Sequence, residues 1–280
     1  MTVKVVTDSV ADLPADVVKE LGITVIPLLV RFGEEVYRDG VDLTTEQFYD
    51  KLKQTKILPG TSVPSPGSVA EAYDRLAEDT DEILVITLSS KLSGTCEVAK
   101  QAVVLMEKKC RVEVIDSEWA TMAEGFIVMK AAKAALAGAT LDELIALTRK
   151  TIPRVDFLCT FDTLEYLRRG GRIGKAQSFL GSVTRVNPLI TLRDGVVEPA
   201  GKAFSRAIAK NRLCSFAMNY SHIEYMAVED TACPEEAEIL VEQLGAKYPR
   251  ERIFRSKMTP VIGTHTGPGL LLVAILGDKN

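Results

Sequence analysis

In the first half of the chain, short apolar runs alternate with helix-like stretches. Val3, Val5 and Val6 form the first run, which ends in Thr7-Asp8-Ser9, and a helix is expected to start near Pro14. Residues 23–31 read as one extended run, and residues 82–88 and 111–116 as buried strands. Helices are expected over 93–108 and 120–137. Thr44-Thr45-Glu46-Gln47 has the spacing of a capping box, in which a hydroxyl and a side chain three residues later satisfy each other's backbone N–H groups. Ser65-Pro66 opens another helix, since proline has no N–H to waste at the first helical position. Strand–helix alternation of this kind predicts a parallel sheet with helices on its faces.

The pattern changes after a helix expected over 140–151, which Ile152-Pro153 breaks. Residues 155–160 are strand-like and 162–169 helical. Residues 187–192 and 196–200 flank Arg193-Asp194-Gly195, the signature of a hairpin with an Asp-Gly turn. A hairpin implies antiparallel pairing. The expected fold class is therefore α/β: an N-terminal parallel-sheet α/β domain over 1–153, then a C-terminal α+β domain over 154–280 with a mixed or antiparallel sheet.

A chain of 280 residues can bury a core and still hold an internal pocket. Its formal net charge of -4 gives no reason to expect a nucleic-acid partner. The charge is uneven, however: residues 168–212 hold ten Lys/Arg against two Asp/Glu. Such a run is read either as a solvated face or as a docking surface for an acidic partner or for transient contact with an anionic membrane. Five widely spaced cysteines with no CxxC argue for free thiols in a reducing cytoplasm. Only His222 and His265 could join them, so neither a metal site nor a cofactor is expected. The N-terminus shows no signal-peptide pattern, and no apolar run approaches the ~20 residues that span a bilayer.

Three segments rich in hydroxyl and glycine residues stand out, two of them directly after strand-like runs. In open α/β sheets, ligands bind beyond the carboxyl ends of the strands. Pro59-Gly60-Thr61-Ser62-Val63-Pro64-Ser65-Pro66 places two adjacent hydroxyls in a stiffened turn; it also reads as a plain turn and helix cap. Leu92-Ser93-Gly94-Thr95 follows the 83–87 strand and places hydroxyls at a helix N-terminus, where free N–H groups and the dipole favour a carboxylate or phosphate. An ordinary cap would look the same. Gly263-Thr264-His265-Thr266-Gly267-Pro268-Gly269 sets one imidazole between two hydroxyls in a glycine-rich turn. That His could donate to an acid or be a satisfied structural residue. Asp8 reads as mainly structural, since no motif places a second carboxylate beside it.

Together with Asp12-Leu13, Ile115-Asp116-Ser117 and the run from Thr163 through Gly170-Gly171-Arg172-Ile173, these segments resemble the DegV family of bacterial fatty-acid-binding proteins. The resemblance spans nearly the whole chain and keeps the order of the motifs. It implies a long-chain fatty acid buried in a tunnel, its carboxylate held by Thr61 or Ser62, Ser93-Gly94-Thr95, and His265-Thr266, with Arg172 in support. It further implies that the chain is not catalytic by itself and presents the acid to a separate ATP-dependent fatty acid kinase. The chain departs from the family pattern at Cys96-Glu97, and at Phe204, where a basic residue is common; Lys202 and Arg206 are the nearby cations left for kinase docking. Two rival readings are a hydrolase with Ser93 as nucleophile and His265 as base, and a binding module for another small acid or phosphate.

Overall fold

The computed structural model describes residues 2–180 and 186–280, so Arg185 of the basic 168–212 stretch lies outside the described residues. The first half runs β1 (Lys4–Asp8), α1 (Ala15–Glu20), β2 (Thr24–Ile26), β3 (Leu29–Phe32), β4 (Glu35–Arg38), α2 (Thr45–Gln54), β5 (Gly60–Ser62), α3 (Pro66–Leu76), β6 (Glu82–Thr87), α4 (Thr95–Leu105), β7 (Arg111–Asp116), α5 (Thr121–Leu136) and α6 (Leu141–Thr151). The second half runs β8 (Val155–Thr160), α7 (Glu165–Arg169), β9 (Asn187–Arg193), β10 (Val196–Ala203), α8 (Arg206–Ala217), β11 (Tyr220–Asp230), α9 (Pro234–Gly245), β12 (Ile253–Lys257), α10 (Pro260–Thr266) and β13 (Leu271–Lys279).

Strands β2, β1, β6 and β7 pair in that order as a parallel sheet, as the alternating pattern predicts. The extended run expected over 23–31 is instead two strands in different sheets. Pro27 lies at the break: it has no N–H for a ladder and limits strand pairing. Strand β3 turns away to pair antiparallel with β4 and β5, a small third sheet with no clear signal in the sequence. Both Thr44 and Thr140 form complete capping boxes, with Gln47 and Glu143, and Ser65 caps α3 with Pro66 in its first turn.

The second half builds a six-stranded mixed sheet, ordered β10-β9-β8-β13-β11-β12. In the β9–β10 hairpin, Asp194 and Gly195 take φ of 51° and 76°, the two left-handed residues of a type I′ turn. The apolar run within β13 fits its central place, buried on both faces.

Helix α5 lies between the parallel and mixed sheets, packed on β1, β8, β11 and β13. Twelve of its sixteen residues are buried, and the Phe126 ring sits against Tyr225 and Phe254 at 5.6 and 6.1 Å. Five carboxyls, Asp8, Asp12, Asp39, Glu124 and Glu229, are buried around this junction. Asp8 is held structurally: its two oxygens accept from the N–H groups of Val10 and Leu88. Asp12 accepts from the N–H of Thr259 at 2.9 Å, and Glu229 from that of Met122 at 3.1 Å, so both tie the halves together. Burial raises both carboxyls, and the charge of Glu229 raises Asp12 further. Among the described residues no helix is long and apolar enough to cross a membrane.

Candidate functional site

A cavity of about 390 Å³ opens between the two sheets, within the range of small-molecule sites. Its largest wall follows from strand periodicity. Side chains alternate between faces along a strand, so Phe157 and Cys159 of β8, Ile190 and Leu192 of β9, and Leu272 of β13 line the cavity. The intervening Leu158 and Leu189 pack on α8 behind the sheet. Val261 and Ile262 of α10 and Met258 just before it close another side. Burial pushes the Cys159 thiol well up, so this lining group stays neutral.

The polar groups are linked in a chain of contacts at one part of the lining. Thr61 Oγ1 lies 2.8 Å from His265 Nε2. The His265 ring packs on the backbone of Gly170, and Arg172 donates to the carbonyls of Gly170 at 2.7 Å and Leu92 at 3.0 Å. Ser93, next to Leu92, shares a 2.8 Å hydrogen bond with Thr95 Oγ1. Burial, and then the charge of Arg172, push His265 down to about 4, so the imidazole is neutral near pH 7. Its Nδ1 has no partner among the described residues. A buried N–H without an acceptor is costlier to tolerate than an idle lone pair, so we assign the proton to Nε2. Nε2–H then donates to Thr61, and the Thr61 hydroxyl proton is free to serve a ligand.

Thr61, Ser62, Ser93, Gly94, Arg172, His265 and Thr266 thus line one cavity, although they are far apart in sequence. Their local settings differ from expectation. Thr61 and Ser62 lie not in a turn but on β5, opposite Val30 and Leu29 of β3, which fixes their direction. His265 sits not in a turn but in the last turn of α10, whose Pro260 opens the helix. Glycine and threonine are weak helix formers; here packing overrides propensity, since Gly263 lets Phe48 and Tyr49 close on the helix. Helix α4 starts at Thr95, so Ser93 precedes it and Gly94 is its N-cap. Thr95 is buried outside the cavity lining and serves Ser93. The Thr266 hydroxyl is spent on the carbonyl of Ile262 at 2.9 Å.

Lys202 and Arg206 do not line this cavity. Lys202 stacks over Phe179 at 4.7 Å, and Arg206 pairs with Glu236 at 3.1 Å. Much of the basic stretch is similarly paired: Arg168 and Arg169 with Glu165, Lys175 with Glu198, and Lys210 with Glu236. Ser93 and His265 each bond elsewhere, and among the described residues no carboxylate orients the imidazole, so the hydrogen-bonded pair that a hydrolase would use is not formed there. Sequence reasoning missed the apolar wall and Thr121, a lining residue held at φ 62°. Side-chain alternation along β8 and β9 separates two faces but does not mark the one that lines the cavity.

The same architecture recurs in known proteins. The family model described as "Uncharacterised protein, DegV family" matches residues 2–278. A DegV domain-containing protein of Streptomyces coelicolor is 37% identical over 278 residues, 98% of each chain. DegV of Bacillus subtilis, whose crystal structure names it a fatty acid binding protein, superposes with a TM-score of 0.90 at 33% identity, over 99% of this chain and 100% of that one. A fatty-acid-binding DegV family protein from Thermus thermophilus gives a TM-score of 0.91 at 31% identity over 99% of this chain and 100% of that one. The family match runs through both large sheets and takes in every segment at the polar part of the cavity, so this chain belongs to the DegV family.

Proposed function

We propose that the chain binds a long-chain fatty acid in this cavity and presents its carboxylate to a separate ATP-dependent fatty acid kinase, without being catalytic itself. The observation that carries the binding step is an apolar cavity whose polar lining gathers on Thr61, Ser93, Arg172 and His265. Each buried CH₂ of an acyl chain contributes about 0.8 kcal/mol, and the hydroxyls and N–H groups fix the head. The Arg172 charge favours the ionised carboxylate, whereas burial opposes it. The fatty-acid-binding proteins of Bacillus subtilis and Thermus thermophilus support the same reading. The proposal divides the work between a lobe over 1–153, which supplies Thr61, Ser62 and Ser93, and a lobe over 154–280, which supplies Arg172, His265 and the apolar wall. It places the chain in the cytoplasm, where a kinase finds its ATP.

Organic extraction of freshly purified protein, followed by mass spectrometry, tests the binding step: about one fatty acid per chain is expected. Recovery of phosphorylated metabolites in its place would favour the small-acid reading. Acyl-phosphate formation from the loaded chain with a kinase of this class tests presentation.

A further inference from the structure

On the opposite face of the six-stranded sheet lies a second cavity, of about 570 Å³, which the fatty-acid reading does not use. Its floor is the other half of the same alternation: Asp156 of β8 and Thr191 and Arg193 of β9 point away from the first cavity. Helix α8 covers the neighbouring Leu158 and Leu189 but ends at Ala217, and the cavity opens beside its last turns. We propose that this cavity is a second ligand site, which takes a small phosphate-bearing anion.

Charge carries the proposal. Arg193, Lys202, Arg212 and Lys279 line the cavity, against a single acid, Asp156. Asp156 is already answered within the floor, by the Thr191 hydroxyl at 3.1 Å and Lys279 at 2.7 Å. Two of the others, Arg193 and Arg212, have little opposing charge nearby. The Arg212 side chain makes no hydrogen bond or ion pair among the described residues, and Arg193 reaches Glu198 only at 3.8 Å. Guanidinium groups are suited to phosphate because their planar donors match its oxygens in pairs. Tyr220 is 8% exposed and lines the cavity, with its hydroxyl buried near the Asp156 carboxylate. Burial, and then the charge of Asp156, keep that phenol protonated, so it adds no negative charge to the cavity. Phe216, edge-on to Tyr220 at 5.6 Å, gives the site an apolar side for the organic part of the ligand.

Calorimetric titration with pyrophosphate tests the site. The chain is loaded with fatty acid beforehand, so that the first cavity and its Arg172 are occupied. Submillimolar binding is expected, weakening as salt rises because Arg193 and Arg212 are exposed. The double variant Arg193→Ala/Arg212→Ala should lose at least ten-fold in affinity, with fatty-acid occupancy and melting temperature close to the parent. Phosphatidic-acid vesicles form a second arm, since a lipid headgroup has the same phosphate chemistry. Binding to the vesicles with none to pyrophosphate overturns the small-molecule site. So does pyrophosphate binding that the double variant leaves unchanged, or no binding in either arm.

Discussion

Replacing Gly170 with alanine is a one-carbon test of how His265 is held. Gly170 follows α7 with φ of -74° and ψ of -6°, a conformation open to any residue, and alanine is the better helix former. The added Cβ would lie 2.3 Å from His265 Nδ1, whereas non-bonded heavy atoms sit about 3.5–4.0 Å apart. The ring must therefore retreat by more than about 1 Å. It cannot take α10 with it, because Gly263 is closed in by Phe48 and Tyr49. The 2.8 Å contact between Thr61 and His265, made through the other ring nitrogen, would then lose its geometry. If the pair holds a carboxylate, losing one hydrogen bond to a charged group costs about 1.5–3 kcal/mol, or roughly ten-fold to a hundred-fold in affinity. Displacement of a fluorescent fatty acid measures the loss, and a thermal melt checks that the fold is intact. His265→Ala should weaken binding similarly, and the double variant should add little, because both changes remove one interaction. Parental affinity in Gly170→Ala beside a ten-fold loss in His265→Ala would refute the reasoning.

Ser93→Ala is expected to weaken fatty-acid binding about ten-fold with little change in melting temperature, measured by the same displacement assay. Lys202→Glu should slow acyl-phosphate formation in a salt-dependent way without emptying the cavity; a parental rate across the salt series would remove Lys202 from docking. Arg206 is the poorer probe, because its reversal would also break the pair with Glu236. Stability should fall as pH rises from about 4 to 7. Burial raises Asp39 to about 6 and Asp8 to about 7 from an ordinary 3.8, so between those values the folded chain holds protons that the unfolded chain has released. At about 1.4 kcal/mol per pH unit, Asp8 alone is worth on the order of 4 kcal/mol, present below its unfolded value and lost by about pH 7. His265, held down at about 4, opposes this by about 2 kcal/mol between about pH 5 and 6.5, less than Asp8 and Asp39 together. Thermal melts should still give a higher midpoint at pH 5 than at pH 8; an equal or reversed order would show that these carboxyls do not hold their protons in the fold.

The parts of the molecule that could be read from the sequence are those fixed by neighbours along the chain. The capping box at Thr44 and the Asp194-Gly195 turn depend on residues within one turn, and each formed as expected; the box at Thr140 opens a helix that was expected without it. The hydroxyl segments could be picked out by residue type, but their settings could not. Strand β5 is three residues long, too short to show a period, and exists because β3 offers it an edge. Helix α10 goes against its own propensity and depends on rings from α2. The cavity wall was hidden for a different reason: alternation in β8 shows two faces but does not say which will meet a ligand. That choice is made by α8 and α5, which pack from opposite sides.

The position of β13 bears on how the chain reaches this state. It is the strand that joins β10-β9-β8 to β11-β12, and it follows all of them in the chain. Until it inserts, β8 and β11 each present an unpaired edge, and Leu272 is missing from the wall of the acyl cavity. Pairing across so long a stretch of chain is slow, because loop closure must be paid for before the contacts form. Open edges are also templates for association with other chains. The half-built sheet is therefore the species most prone to aggregate, and a chain shortened before Leu271 should accumulate in that form. Substitutions in β13 should reduce the yield of folded protein more than their effect on the stability of the finished fold would suggest.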